Sequence, residues 1–260
     1  MPKRRLPKSV LSGEAEGVFA ALPHTVLANL RRGNSENALL WNLIYPLAQT
    51  QIALTSLLGL APLWGTAVES GEDDSLEPFY WGFNLQGERL PGLREVLKEV
   101  DGAGNPTEVD LFLLGRRVLV LVEAKHLSNF GHCHRYAAGR CPEIHVDTVP
   151  EASACRYWLD GPSAFSSQLD FGTRPTPESL PPPCDRHYQL GRTLLVGKRL
   201  AEGMGRELHI WLILPRERWW AREREWVDFA DRVADASLWR RLRVLAWEDV
   251  AGLSRNMINR

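Results

Sequence analysis

The most apolar and most strand-like segment of the sequence carries four charged residues in addition to the adjacent Arg116 and Arg117. The segment is TEVDLFLLGRRVLVLVEAKHL, residues 107–127, and the four are Glu108, Asp110, Glu123 and Lys125. Charged side chains are rarely found in such a run unless they are paired or bind something. Because side chains alternate along a strand, the two acidic residues of the first run share a face, as do the glutamate and lysine of the second.

The two apolar runs, DLFLL and RVLVLVEA, are separated by Gly115-Arg116, which favours a hairpin with a two-residue type II′ turn. This turn would place Glu108 opposite Glu123 and all four charged groups on one face, whereas a slip of one residue would separate the two strands' charges. The second run is apolar on both faces, which indicates a central strand covered by helices. A solvated acidic face on an edge strand, the alternative, fits that run poorly.

The carboxylates of this hairpin repel one another unless a cation is bound. Two like charges ~5 Å apart at an effective dielectric constant of ~20 repel by roughly 3 kcal/mol, and Lys125 can offset only one of them. A hard divalent cation removes the repulsion, and Mg²⁺ typically binds one or two carboxylates together with waters and a substrate phosphate. The pattern therefore predicts a phosphodiesterase site, in which the metal polarises phosphate and acidifies water while the lysine positions that water.

The sequence contains VD, followed after twelve residues by EAK. This pattern resembles the motif of the PD-(D/E)XK nuclease superfamily, the fold of many restriction and repair nucleases. The resemblance places the family's aspartate on Asp110, its second acidic position on Glu123 and its lysine on Lys125. These would be the catalytic residues, with the lysine orienting the attacking hydroxide. Val109 departs from the proline of the motif's name, at a position that varies across the superfamily.

The resemblance implies further site residues. The family often adds a helical glutamate from before the first strand, and Glu36 in SENALL matches it. A helix after the motif strand often carries a glutamine facing the site, and YQLGR supplies Gln189. We therefore expect Mg²⁺, or Mn²⁺, to be held by Asp110 and Glu123 with Glu36 in support. Glu108 would be an extra ligand or proton acceptor.

The expected fold class is α/β, with a restriction-endonuclease-like αβββαβ core, a mixed central sheet flanked by helices and a Cys/His-rich insertion. Residues 1–34 are expected to form an N-terminal arm and lead-in, and residues 35–260 a single nuclease-like domain with residues 126–185 as the inserted subdomain. The remaining pattern predicts helices at SENALLWNLIYPLAQ, LREVLKEVDGAGNP, HYQLGRTLLVGKRLAEG and ERWWAREREWVDFADRVAD. It predicts strands at FYWGFNL (an edge strand), ELHIWLILP and LRVLA, the last running into a turn or short helix.

All four cysteines fall within the insertion or at its end, and His132, His134 and His145 are interleaved with them. The cysteines are Cys133, Cys141, Cys155 and Cys184. Thiolates and imidazoles suit Zn²⁺ or an iron-sulfur cluster, and a segment with little core gains most from such a link. Spacings of seven, thirteen and twenty-eight intervening residues match no tight CxxC signature. A structural metal and ordinary buried thiols therefore both remain open.

Composition limits the class of protein. Lys and Arg (31) nearly balance Asp and Glu (32), so the total charge predicts no partner and a nucleic-acid footprint must be local. The basic start is not followed by an apolar signal core, so we expect a cytoplasmic protein. The uncharged stretch from residue 38 to residue 68 is interrupted by polar residues and two prolines, which favours a buried helical hairpin over a membrane span. Trp219, Trp220, Trp226 and Trp239 have helical spacing, and we expect them in the core.

These observations predict a Mg²⁺-dependent deoxyribonuclease, with endonucleolytic cleavage favoured and a role in restriction or defence by family analogy only. DNA is the expected partner, no membrane is expected, and a homodimer remains open. One alternative is a catalytically silent nucleic-acid-binding or scaffolding member of the same fold. Another is a metal-binding regulatory protein in which the cysteines carry the function.

Overall fold

The fold is a six-stranded mixed sheet covered by helices on both faces. The computed structural model describes residues 11–49, 54–68, 75–102, 106–147, 154–159, 161 and 164–258, with side chains up to residue 253. The strands are β1 (Trp64–Gly65), β2 (Glu77–Tyr80), β3 (Leu111–Leu114), β4 (Val118–Ala124), β5 (Glu207–Leu214) and β6 (Leu242–Ala246). They lie in the order β1-β6-β5-β4-β3-β2. Pairs β4–β5 and β5–β6 are parallel and the others antiparallel. The predicted α/β class is confirmed.

The helices are α1 (Glu16–Ala21), α2 (His24–Leu30), α3 (Glu36–Ala48), α4 (Leu93–Asp101), α5 (His134–Ala137), α6 (Pro183–Arg186), α7 (Tyr188–Met204), α8 (Trp219–Ala230), α9 (Ala236–Trp239) and α10 (Trp247–Ile258). Helices α3, α4, α7 and α8 occur where the apolar spacing predicted them, whereas the twelve-residue helix α10 occupies the place of the predicted turn or short helix. Ser35 caps α3 by accepting a hydrogen bond from the Ala38 amide at 3.1 Å. α7 ends at Gly205, whose φ of 62° is left-handed. The second arm of the predicted helical hairpin lies partly on residues 50–53, outside the described residues.

Strand β4 is the centre of two hydrophobic layers. Val118, Val120 and Val122 pack on the side of α3 and α10, whereas Leu119 and Leu121 pack on the side of α4, α7 and α8. All seven residues of β4 are buried, so the predicted central strand is confirmed. Among the described helices, none combines the length and apolarity needed to cross a bilayer.

The hairpin turn lies one residue later than predicted. The Gly115 amide donates a hydrogen bond to the Val118 carbonyl at 2.9 Å, so Arg116 and Arg117 form the turn. Strand pairing runs from Leu111 opposite Val122 to Leu114 opposite Leu119, two residues away from the predicted register. A shift of two residues keeps every side chain on its face. It changes the partners, because the register extended by one pair sets Asp110, rather than Glu108, opposite Glu123.

The tryptophan prediction was right for two residues and wrong for two. Trp219 and Trp226 are buried, whereas Trp220 is 79% exposed and Trp239 is 41% exposed. Adjacent residues of a helix point about 100° apart, so Trp219 and Trp220 cannot both face the sheet.

The described part of residues 126–185 docks on α7. It contains α5, α6 and the short 3₁₀ turns Arg156–Trp158 and Phe165–Ser167. The Phe165 ring lies directly over Gly191 of α7, where an added Cβ would come within 2.8 Å of it. Glycine is therefore required at this close approach between the insertion and α7.

Candidate active site

The hairpin places its charged residues at the carboxyl end of β4. Glu123 is completely buried and Lys125 is 7% exposed, while Asp110 is partly exposed and Glu108 is exposed. Asp110, Glu123 and Lys125 share the sheet face that α7 covers, as strand alternation requires. The structure thus brings together the two carboxylates and the lysine of the motif.

Two side chains of α7 hold Glu123. Gln189 Nε2 donates to Glu123 Oε2 at 2.7 Å, and Thr193 Oγ1 donates to Glu123 Oε1 at 2.7 Å. Gln189 Oε1 in turn accepts a hydrogen bond from the Gly131 amide at 2.8 Å. Each carboxylate oxygen has two lone pairs. Glu123 is therefore fixed in orientation and still has acceptor capacity for a cation.

Asp110 is held by the backbone of the opposite strand. Its Oδ2 accepts a hydrogen bond from the Ala124 amide at 2.9 Å. The carboxylate therefore lies beside Glu123, the residue before Ala124. One bond to a carboxylate leaves most of its acceptor capacity unused, so Asp110 also remains able to bind a metal.

The pair resists carrying two negative charges. Burial raises the pKa of Asp110, against the opposing effects of the Lys125 ammonium and the Ala124 amide. Burial, and next the charge of Asp110, raises the pKa of Glu123 to about 8, again against Lys125. Two adjacent carboxyls with raised pKa values can both ionise readily only when a cation compensates them. The site therefore has the electrostatics of a cation-binding site.

Glu36 reaches the same end of β4 from the opposite face of the sheet. Its Oε1 accepts hydrogen bonds from the His126 amide at 2.7 Å, the Ser128 amide at 3.1 Å and Ser128 Oγ at 2.7 Å. Burial opposes ionisation of Glu36, but these donors and Lys125 together hold its pKa below the usual value. Glu36 therefore fixes the loop that follows Lys125. All three of these hydrogen bonds are accepted by Oε1 of Glu36.

Sequence reasoning missed a buried polar centre next to the site. Asp101, only 4% exposed, accepts hydrogen bonds from the Thr107 amide at 2.6 Å, Thr107 Oγ1 at 3.1 Å and Tyr157 Oη at 2.8 Å. It also forms an ion pair with Arg192 at 2.9 Å. This carboxylate ties the chain that leads to Asp110 to both the insertion and α7. Tyr157 and Arg192 are distant from Asp101 in sequence, so no local pattern marks these two partners.

Thr193 was also missed, although the sequence carries a signal for it. Thr193 follows Gln189 by four residues in α7, and residues four apart lie on the same helix face. A hydroxyl one turn after the predicted glutamine could therefore have been assigned to the same carboxylate.

An open cavity of about 450 Å³ is lined by neighbours of the motif residues, although Asp110, Glu123 and Lys125 are not themselves among the residues that line it. Glu108 and Gln189 line it, together with Arg192 and the histidines His132 and His134 of the insertion. Glu108 thus lines the cavity from the segment that leads to Asp110, and Gln189 is the hydrogen-bond partner of Glu123. The cavity has room for part of a substrate, and its wall carries both acidic and basic side chains.

The donors at this site fit Mg²⁺. As the side chains stand, no group of three or more His, Cys, Asp or Glu in the described part of the chain is arranged to hold a metal ion. Mg²⁺ needs fewer protein ligands, because waters and substrate phosphates complete its shell around one or two carboxylates. Asp110 and Glu123 supply those two carboxylates, hard oxygen ligands with unused lone pairs.

The structure places the four predicted cysteines around one small cavity that Tyr188, the first residue of α7, also lines, and all four are free thiols. Cys141 and Cys184 are buried, and Cys133 and Cys155 are partly buried. Burial raises the pKa of Cys155 to about 11 and that of Cys184 to about 12. Both are therefore protonated at neutral pH when no metal is bound.

One family model matches the chain, and it covers both the site and the insertion. It is described as "Restriction Endonuclease associating with ARP" and matches residues 18–256. No curated protein and no solved structure matches significantly. The relation to restriction endonucleases that the motif predicted is thereby supported at the level of the family. The match extends over most of the chain, and the chain belongs to this restriction endonuclease family.

Proposed function

We propose that this protein is a Mg²⁺-dependent endonuclease of the PD-(D/E)XK type that hydrolyses DNA in restriction or defence. Membership of the restriction endonuclease family supports a nuclease role in restriction or defence. The element order supports the type: helix α3, the antiparallel strands β2, β3 and β4, helix α7, and strand β5 parallel to β4. With the two-residue strand β1 and the helix α4 set aside, this order is compatible with the αβββαβ core that the resemblance implies.

The observation that carries the proposal is the Asp110 and Glu123 pair with Lys125 on the same face. The ammonium of Lys125 opposes the rise that burial causes in the pKa values of Asp110 and Glu123, and it contributes to the lowered pKa of Glu36. The single positive charge of Lys125 therefore acts on three carboxylates. When all three are ionised, a net negative charge remains, and a bound metal cation would compensate it. A structural ion pair would not require this excess of acid at a nearly buried position.

Each residue then has a distinct role. Asp110 and Glu123 would hold Mg²⁺, which when bound stabilises charge on the phosphate and makes water more acidic. Lys125 orients the attacking water and stabilises the charge that develops on the phosphate oxygens. Gln189 and Thr193 keep Glu123 in its orientation, and Glu36 fixes the backbone that follows Lys125.

The substrate is proposed to pass along the open cavity. Arg192, His132 and His134 line it, and basic side chains are the usual partners of DNA phosphates. Arg192 is kept in place by Asp101. Since the net charge of the chain is only −1, attraction of DNA depends on such local groups rather than on the total charge.

Cleavage of supercoiled plasmid and of linear DNA, with Mg²⁺, Mn²⁺ or EDTA, tests the proposal. The wild-type protein should nick or linearise the plasmid with either metal and not with EDTA, and Asp110→Asn should be inactive. Glu217→Gln, a change in a surface 3₁₀ turn, is the matched control and should be active. Because the family is described as associating with ARP, the assay is run with the isolated chain and again with ARP added. DNA binding without cleavage in both arms would instead favour a silent member of the fold.

A further inference from the structure

The four cysteines of the protein converge on one place in the fold. They are spread over residues 133–184, yet all four line the same cavity of about 20 Å³. We propose that this cavity binds one Zn²⁺ ion through Cys133, Cys141, Cys155 and Cys184. The ion would tie together the segments of the insertion, and it is separate from the metal proposed at Asp110 and Glu123.

The size of the cavity favours a single ion. A space of ~10–15 Å³ holds about one water molecule, so this cavity accommodates one atom-sized ligand. An iron-sulfur cluster contains several metal and sulfide atoms and would not fit without displacing the surrounding side chains, among them Tyr157, Trp158 and Phe165. Four thiolates around one Zn²⁺ form one of the usual structural zinc sites.

Several N–H groups point at the sulfur atoms. The Trp158 indole Nε1 donates a hydrogen bond to Cys184 Sγ at 3.4 Å. The backbone amides of Arg135 and Tyr136 form hydrogen bonds with the Cys133 sulfur, and the backbone amide of Tyr157 forms one with the Cys155 sulfur. Hydrogen bonds of this kind stabilise metal-bound thiolates and orient them. A neutral thiol is a weak acceptor and gains little from them.

The backbone of three of the cysteines is anchored by side chains of the same segment. The Cys133 amide donates to Asp185 Oδ1 at 2.9 Å, and the Cys155 amide donates to Glu143 Oε1 at 3.1 Å. The Cys141 amide donates to His145 Nδ1 at 3.0 Å. These bonds fix the backbone at three of the four cysteines that line the cavity.

The interleaved histidines are not part of the proposed ligand set. None of them is among the residues that line the cavity within the described chain. His132 Nδ1 pairs with Asp185 at 2.9 Å, and His134 lines the open cavity of about 450 Å³. The donor set is therefore four cysteines rather than cysteines and histidine.

Binding requires a small closing movement. As they stand, no three of the described His, Cys, Asp or Glu side chains are arranged around a common metal position. Zn–S bonds of ~2.3 Å in a tetrahedron bring sulfur atoms to about 3.8 Å from one another. The proposal therefore requires the four cysteine side chains to move towards one another within the cavity that they line. Arg135, which also lines the cavity, can offset the negative charge of the four thiolates.

The first test is metal analysis of the full-length protein, purified under nitrogen without chelator from cells supplied with both iron and zinc. We expect close to one zinc per chain and no acid-labile sulfide. Cys141→Ser should lose the zinc. Glu123→Gln is the matched control and should keep it, because that change affects only the site on β4. Zinc lost from Glu123→Gln and kept in Cys141→Ser would overturn the assignment.

A second measurement needs no cysteine variant, which guards against misfolding of Cys141→Ser. Zinc is removed from the wild-type protein and replaced by Co²⁺, which should give the intense thiolate-to-cobalt charge-transfer band and the visible bands of a tetrahedral site. Thiol modification of the zinc form should release the ion as the four thiols react. A metal-free protein with four freely reactive thiols, a disulfide, or iron with sulfide in multiple equivalents would each refute the single-zinc site.

Discussion

Gln189 connects Glu123 of the motif strand with Gly131 of the insertion. Its amide nitrogen lies 2.7 Å from Glu123 Oε2, and its amide oxygen lies 2.8 Å from the Gly131 nitrogen. In addition, the backbone N–H of Gln189 donates a hydrogen bond to the Gly131 carbonyl at 3.2 Å. One side chain therefore sets the orientation of a candidate metal ligand and the position of the segment that begins the insertion.

The first prediction concerns this glutamine. Replacing Gln189 with Leu removes the donor to Glu123 while preserving much of the volume. Loss of such a positioning hydrogen bond typically costs 10–100-fold in metal affinity or activity. We expect the Mg²⁺ concentration for half-maximal cleavage to rise by about this factor, measured by metal titration of plasmid cleavage. Gln86→Leu, at an exposed position, should leave the titration unchanged. An unshifted curve for Gln189→Leu would contradict the role.

Glu123 is predicted to make the metal-free protein less stable as pH rises. Its folded-state pKa is raised to about 8, whereas an unfolded glutamate titrates near about 4.3. Between these values the unfolded state releases a proton that the folded state retains, so the free energy of unfolding falls as pH rises through this window and is level above it. The raised pKa of Asp110 acts in the same direction.

Glu123→Gln removes this dependence. The amide can accept from Gln189 and donate to Thr193, so the hydrogen bonds are retained with one reversed. In EDTA, the variant should be more stable than the wild type at pH 9, by on the order of 3–5 kcal/mol, and similar to it near pH 4. Urea unfolding at several pH values measures the difference. Parallel stability curves for the two proteins would show that Glu123 ionises as an ordinary carboxyl.

The residues of this site could be named from the sequence because they lie in short patterns. The alternation of β4, the helix of α3 and the helical spacing of Gln189 are local properties of the chain. The face shared by Asp110, Glu123 and Lys125 followed from the alternation of side chains along a strand. This prediction was correct even though the predicted turn was wrong, because the register differs by two residues. The turn was wrong because Gly115 was expected to use a positive φ, but it is not among the glycines with positive φ in the described residues.

What the sequence did not show depends on contacts between distant segments. Asp101 and Tyr157 meet although 56 positions separate them. Cys133 and Cys184 meet at a cavity that forms only after the insertion has folded onto α7. Neither relation has a spacing rule. The exposure of Trp220 depends on which side of α8 meets the sheet, which helical periodicity alone does not decide when adjacent residues are both aromatic.

Lys125 is predicted to affect catalysis and stability together. Lys125→Met keeps the aliphatic part of the side chain and removes the charge. Cleavage should fall by roughly 10²–10³, the effect of one positioned charge at a transition state. The metal-free protein should also be destabilised, because the charge of Lys125 favours the ionised form of the three carboxyls Asp110, Glu123 and Glu36. Mg²⁺ should restore part of this stability. Thermal melts with Mg²⁺ and with EDTA, beside the cleavage assay, distinguish this result from a purely structural loss.

Asp101 is predicted to be the strongest structural support of the site. Asp101→Ala removes the acceptor of Thr107, Tyr157 and Arg192 at once and leaves the Arg192 guanidinium, whose side chain is 14% exposed, without this carboxylate. Breaking a buried pair by removing one partner costs about 3–5 kcal/mol, so the urea midpoint should fall clearly. Asp231→Ala, at an exposed position after α8, should change the midpoint little. Because Thr107 precedes Asp110 by three residues, cleavage should also fall in protein that remains folded. A folded Asp101→Ala variant with wild-type cleavage would show that the strand leading to Asp110 is positioned by other contacts.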